Sequence, residues 1–290
     1  MSEPRTVSEL LEVGETVLSD STHLFEDHDF LDLARELLAT ALRVTEDELD
    51  DTYEPSRPLR DRYLALIARR AAGEPQPFLT GKIEFYGLEL RVKPGAFVPR
   101  SSSELTVDRA IRRLRRRKDP LVVDVAAGAG PIAMAIAHEV PRAHVWALDI
   151  SKEALDLGRR NARRLGIGNV VFRPGDMYGP LPDDLKGRVD LIAGHVPYVP
   201  RDELEDLPTE VRRHEPVFTL TDDSDGMSLV QRAIAESVPW LKPGGWLLLE
   251  MSEDITVKAR KLVRRAGLSD EGVASDDDGL SVVVEARKKG

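Results

Sequence analysis

The stretch from position 121 to 149, LVVDVAAGAGPIAMAIAHEVPRAHVWALD, constrains this chain more than any other. The apolar run at 121–125, broken only by Asp124, has the composition of a parallel strand covered on both faces. Residues 126–130 are a turn of alanine and glycine, 132–139 carry a helical pattern, and 145–148 form a second apolar run closed by Asp149. Gly128 and Gly130 have no Cβ, so a ligand can lie against the turn backbone, where the following helix presents unpaired N–H groups. Asp149 ends the second strand, where a carboxylate can accept hydrogen bonds from two ribose hydroxyls.

Spacing discriminates between ligands for such a turn. A dinucleotide fold uses G-x-G-x-x-G to lay a pyrophosphate on the helix N-terminus. This chain has Ala126-x-Gly128-x-Gly130 followed by Pro131, with Ala127 and Ala129 between. An ordinary small-residue turn is the bland alternative. The spacing resembles the loop with which class I methyltransferases hold S-adenosylmethionine, with Asp124 upstream and Asp149 as the ribose acid. Ala126 stands where that family has the first of three glycines, which narrows the space by one methyl group.

At 290 residues the chain can hold one large domain and a smaller one. It has no cysteine, which excludes disulfides, thiolate metal sites and thiol catalysis. The opening residues MSEPRTVSELLEVGE are polar and acidic, unlike a signal peptide, and no apolar run approaches the ~20 residues that span a bilayer. A soluble, cytoplasmic protein is expected. The net charge of −10 argues against strong nucleic-acid binding, which phosphate neutralisation drives.

Helical periodicity dominates the first 72 residues. Leu10, Leu11, Val13 and Val17 share a face over 7–18, and Leu33, Leu37, Leu38 and Leu42 share one over 30–44. Thr45 and Glu48 have capping-box spacing for a short third helix, Pro55 and Pro58 interrupt, and 60–72 make a fourth. Alternation at Leu88, Leu90 and Val92, with turn signals at Gly87 and Pro94-Gly95, predicts a hairpin. A helix capped by Ser101 and Glu104 follows and ends in the basic run 112–118, whose cations suit a C-terminal helix dipole better than an RNA contact. Beyond Asp149, helices at 152–165, 227–241 and 255–266 alternate with strands at 170–172, 189–193, 246–250 and 280–286. The turn 242–245 feeds the third of these strands. The alternation predicts a doubly wound parallel sheet. Residues 194–225 show little pattern, and loops of such length tend to be functional.

His195-Val196-Pro197-Tyr198 opens that segment at a strand's C-terminal end, the edge where open α/β sheets bind ligands. With GEPQPFLTGKIEFYGLEL, FVPRSSSE, DVAAGAG, ALD, the Gly175-Asp176 pair before Met177 and EVRRHEPVFTLTDDSDG, it makes nearly the whole chain resemble the HemK/PrmC family of S-adenosylmethionine-dependent protein-glutamine N5-methyltransferases, which act on peptide chain release factors. The resemblance implies a class I, Rossmann-like, doubly wound seven-stranded α/β domain over 101–290. It further implies an N-terminal helical substrate-recognition domain over 1–75 and a hairpin linker over 76–100. S-adenosylmethionine would be converted to S-adenosylhomocysteine, with no metal and no membrane involved. Cofactor contacts fall to Asp124, Ala126, Ala127, Gly128, Ala129, Gly130, Asp149, Ile150, Asp176, Met177, His195 and Arg100. Asp176 and Met177 are expected at the adenine.

The family's acceptor signature is Asn-Pro-Pro-Tyr, in which the Asn oxygen and a backbone carbonyl accept the two amide N–H bonds and the tyrosine packs on the amide plane. Here His195 and Val196 replace the first two residues, while Pro197 and Tyr198 remain. A neutral imidazole accepts one N–H but lacks the amide's donor–acceptor pair, and it can take a proton near neutral pH. Glu250-Met251-Ser252, Ser101-Ser102 and the stretch 276–281 are further departures, gathered on the acceptor side. A release-factor-like protein bearing a glutamine is the implied partner. A different nitrogen or oxygen acceptor, in a small molecule or a nucleobase, and a non-catalytic cofactor-binding homologue are the alternatives.

Overall fold

A computed structural model describes residues 4–24, 29–276 and 282–290. The chain divides into two compact units. One comprises Met1–Lys82, Val92–Pro94 and Asp206–His214, the other Ile83–Arg91, Gly95–Glu205 and Glu215–Gly290.

The first unit is helical: α1 (Val7–Ser19), α2 (Phe30–Leu42), α3 (Arg57–Ala71), α4 (Gln76–Thr80) and, from far along the chain, α8 (Thr209–His214). Thr6 and Glu9 exchange capping bonds at the start of α1, with the Glu9 amide donating to Thr6 Oγ1 at 3.2 Å. Leu10, Leu11 and Leu18 of α1 meet Leu37 and Leu38 of α2 and Tyr63 and Ile67 of α3 in one core. Val17 was expected on that face but stands 39% exposed, because Gly14 and Leu18 complete the stripe at helical spacing. Pro58 does not interrupt; it lies in the first turn of α3, where its missing N–H costs nothing. The Thr45–Glu48 box caps a single 3-10 turn, Glu46–Glu48. Arg70, 2% exposed, pairs with Glu210 at 2.9 Å, which ties α8 to α3 across 140 positions.

The second unit begins with the paired strands β1 (Lys82–Phe85) and β2 (Leu88–Arg91). Its main sheet contains β3 (Leu121–Val125), β4 (His144–Asp149), β5 (Val170–Pro174), β6 (Val189–Gly194), β7 (Leu241–Met251), β8 (Ser269–Ser275) and β9 (Val282–Arg287). The order is β5-β4-β3-β6-β7-β9-β8, with β9 antiparallel to both neighbours and the other described pairings parallel. Helices α5 (Glu104–Leu114), α6 (Pro131–Glu139) and α7 (Lys152–Arg164) bury Val107, Ala133 and Leu155 in one core. Helices α9 (Ser228–Ser237) and α10 (Thr256–Arg265) bury Ile234 and Val263 in a second. The seven-stranded doubly wound architecture agrees with the expectation, but the sheet is mixed where helix–strand alternation predicts a parallel one, because β9 returns antiparallel between β7 and β8.

Several local readings change. Ser101–Ser103 form a 3-10 turn, and Glu104 does not close a capping box; its carboxylate accepts the Tyr86 N–H at 2.7 Å. Residues 242–245 belong to β7, because their backbone has partners: Gly244 N donates to Lys288 O and Lys288 N donates to Gly245 O, each at 2.9 Å. Strand β8 has no counterpart in the sequence pattern, because an edge strand with polar residues on both faces carries no period-2 signal. Of the basic run, Arg113 lies over the Trp246 ring at 3.8 Å and bonds Glu285 at 2.7 Å, so part of it is structural. The departure at 276–281 and the start of the last strand at 280–281 fall, apart from Asp276, outside the described residues.

Candidate active site

Register decides which side chains share an edge. Val125 of β3 pairs with Leu148 of β4 on one side and with Gly194 of β6 on the other, and Gly194 pairs with Leu249 of β7. The residues that follow are Ala126, Asp149, His195 and Glu250, side by side at the carboxyl edge. The chain winds outward through β4 and β5, then crosses to β6 on the other side of β3, so a crevice opens where the order reverses.

The glycine turn is held from both sides. Ala127 N donates to Leu148 O at 2.9 Å, and Gly128 N donates to Asp149 Oδ2 at 2.7 Å. Asp149 Oδ1 accepts the Ser151 N–H at 2.7 Å, and Ser151 caps α7 through the Ala154 amide. Burial pushes the Asp149 carboxyl up, opposed by the N–H bonds from Ser151 and Gly128. Gly128 has φ +57°, and a Cβ there would meet nothing within 4 Å, so its outer face lies open. Ala126 adopts φ +54°, a left-handed conformation that costs an alanine about 1 kcal/mol more than the family's glycine.

Asp124 lies beneath the turn, fully buried. Its Oδ2 accepts the Ala133 N–H at 3.0 Å, satisfying one of the free amides of the α6 N-terminus, while Oδ1 has no partner. Burial pushes this carboxyl up to about 8. Ile150 is 58% exposed just beyond Asp149. Met177 is buried and, at φ +46°, turns the chain after Gly175, whose amide donates to Asp149 O at 2.9 Å. Asp176 directs its carboxylate to Arg232 of α9, at 2.9 and 3.1 Å.

Just after β6, His195 is half-buried between two aromatic rings. Tyr198 stacks on it, centroids 5.5 Å apart, and Phe97 meets it edge-on at 5.7 Å. Its Nδ1 lies 3.4 Å from Ser103 Oγ and 3.5 Å from Glu250 Oε2. Burial lowers the imidazole pKa, Glu250 pulls it back up, and Arg100 lowers it further. The Tyr198 phenol is pushed up to about 12, chiefly by burial. The Val196 side chain is buried in the second core, so that residue offers only its backbone outward. Arg100 lies 4.6 Å over the Phe97 ring and pairs with the buried Glu215 at 2.5 Å.

The sequence-derived residues therefore fall into two neighbouring groups: the turn with Asp124 and Asp149, and His195 with Tyr198. Asp176 is engaged with Arg232 instead of standing free. Sequence reasoning missed Phe97, Ser103, Glu215 and Glu250 as members of the site. For Glu250 the signal was present, an acid closing an apolar strand in the manner of Asp149; for Phe97 and Ser103 only tertiary contact reveals the role. Among the described residues no group of three or more His, Cys, Asp and Glu side chains could hold a metal ion, and no helix is long and apolar enough to cross a membrane.

An open-faced glycine turn, a ribose-type acid one strand over and a polar acceptor residue on the opposite neighbour suit a nucleoside carrying a transferable group. On a sheet whose β9 runs antiparallel, this defines a class I methyltransferase that uses S-adenosylmethionine. Residues 122–215 match the family model described as a methyltransferase domain. A release factor glutamine methyltransferase of Burkholderia pseudomallei is 39% identical, the match covering 83% of this chain and 86% of that protein. One from Geobacter sulfurreducens is 36% identical over 80% of this chain and 81% of its own. A solved methyltransferase from Pyrococcus furiosus shares the fold, with a TM-score of 0.51 at 16% identity over 70% of this chain and 90% of that one. The chain belongs to the release factor glutamine methyltransferase family.

Proposed function

We propose that the protein transfers a methyl group from S-adenosylmethionine to the side-chain amide nitrogen of a glutamine in a peptide chain release factor, in the cytoplasm. The observation that carries this reading is His195, walled by Phe97 and Tyr198 just past the end of the strand beside the one that feeds the glycine turn, within a family whose relatives bear that name. The fit to the cofactor rests on the open face at Gly128 and the orphaned Asp124 Oδ1. In this reading Asp149 takes the ribose hydroxyls, Asp124 Oδ1 faces the ammonium of the methionine moiety, and residues 126–130 with Ile150 line the nucleoside. Met177 packs at the adenine, with Asp176 and Arg232 beside it. Arg100, held by Glu215, borders the acceptor pocket. S-adenosylmethionine supplies a methyl group on a sulfonium.

An amide nitrogen is a poor nucleophile because its lone pair is delocalised into the carbonyl. The work left to the protein is positioning: His195 and the Val196 carbonyl accept the amide N–H bonds, and Tyr198 packs on the amide plane. The helical residues 1–75 grip the protein substrate, 76–100 link and lend Phe97 and Arg100 to the site, and 101–290 hold the rest of the chemistry. The test is incorporation of labelled methyl into a Gly-Gly-Gln-bearing release-factor domain by wild type and His195→Asn. Transfer by both supports the reading. Cofactor binding without transfer by either protein overturns it in favour of a binding-only homologue. Wild-type transfer to another molecule, with glutamine methylation only in His195→Asn, identifies a changed acceptor.

A further inference from the structure

Resting on His195 as the acceptor-side residue, we infer that Glu250 and Ser103 fix its imidazole as the Nδ1–H tautomer, so that Nε2 serves as the base that removes the acceptor's proton. Two groups converge on Nδ1: Glu250 Oε2 at 3.5 Å and Ser103 Oγ at 3.4 Å. A carboxylate accepts only, so a bare Nδ1 would set two lone pairs against each other at that contact, which favours the proton on Nδ1. Nε2 makes no hydrogen bond to a described residue and keeps its lone pair. Glu250 is itself anchored, since Ser102 Oγ donates to its Oε1 at 2.9 Å. The stacked Tyr198 and the edge of Phe97 restrict ring rotation.

This arrangement differs in kind from the family's asparagine. An asparagine oxygen can orient an amide N–H but cannot keep its proton. Here, as the N–CH3 bond forms and the S–CH3 bond breaks, the acceptor's N–H bond breaks and its electron pair stays on nitrogen. The proton goes to Nε2, giving an imidazolium opposite the Glu250 carboxylate and a neutral methylated product, and passes to water when the product leaves. The acceptor class is thus any N–H or O–H group that must lose a proton on methylation, an amide included. The charged groups facing the ring are Glu250 from β7 and Arg100 from the segment before α5, with Tyr198 neutral and Asp254 acting on Tyr198. Burial lowers the imidazole pKa and so favours the neutral ring.

The primary readout needs no turnover: long-range proton–nitrogen NMR correlations of His195 in the cofactor-free protein from pH 5.5 to 9. The expected spectrum shows a protonated Nδ1 and a bare Nε2 at pH 7. Glu250→Gln should mix the tautomers and lower the imidazole pKa, because the carboxylate that favours the cation is gone. In assays of methyl transfer, that variant should lose roughly tenfold or more in kcat with little change in acceptor KM, and its acidic limb should shift to lower pH. A protonated Nε2 in wild type overturns the inference without any variant, even if Glu250→Gln fails to fold. An unchanged tautomer and an unchanged acidic limb in Glu250→Gln also overturn it. Failure of the glutamine reading looks different: no label reaches the release-factor domain while the tautomer stands as described.

Discussion

Replacing Asp124 probes the electrostatics beneath the glycine turn. Its carboxyl is buried, half-satisfied by Ala133 N–H, and pushed up to about 8. In the unfolded chain it titrates near ~3.9. Between those values the folded protein holds a proton that the unfolded chain has released. Its contribution to stability is therefore complete below the unfolded pKa and is lost as pH rises through the folded one. Each pH unit inside the window removes about 1.4 kcal/mol, hence about 3 kcal/mol from pH 5 to pH 7. Asp124→Asn retains an oxygen for the Ala133 N–H and cannot titrate. Urea unfolding of both proteins at fixed ionic strength should show the wild-type stability, relative to the variant, falling by that amount over the two units. A difference that stays flat from pH 5 to 8 would mean the carboxyl is already ionised in the folded protein, and the reasoning fails. The same site makes a ligand prediction. If the cofactor's ammonium meets Oδ1, then binding of S-adenosylhomocysteine near pH 7 should release about one proton, read by calorimetry in buffers of different ionisation enthalpy.

Two further outcomes are expected. Asp149→Ala removes the acceptor of the Gly128 and Ser151 amides and the proposed acceptor of ribose hydroxyls, so calorimetry should show S-adenosylhomocysteine affinity weakened by about 1.5–3 kcal/mol; unchanged affinity takes Asp149 out of the site. Gly226 has φ +76°, and a Cβ on it would overlap the Tyr198 carbonyl, so Gly226→Ala should shift Tyr198 and reduce methyl transfer about tenfold or more while cofactor affinity changes little. Equal losses in cofactor affinity and transfer would show instead that the variant disturbs the whole sheet edge.

The half of the site proposed for the cofactor is legible in the sequence because it is local. Asp124, the turn and Asp149 lie within one β-α-β unit, and apolar strands closed by acids announce where a parallel sheet ends. The half proposed for the acceptor is assembled from distant chain. Phe97 and Ser103 reach His195 from before α5, and Glu250 reaches it from the end of β7, 55 positions on from His195. The order β3-β6-β7 alone makes the last pair neighbours.

By itself the sequence determined the element types wherever burial imposes a period, the spacing of the glycine turn, and the residues at each strand end. Periodicity records which face is buried and nothing about what buries it. Only the tertiary structure decided that 242–245 would join a strand, that Asp206–His214 would pack with the helical unit through Arg70 and Glu210, and that Glu250 would stand behind His195. Each of these depends on backbone or charge partners far away in sequence. A lone acid, a lone arginine or a Pro-Gly-Gly turn carries no local mark of the partner it will find.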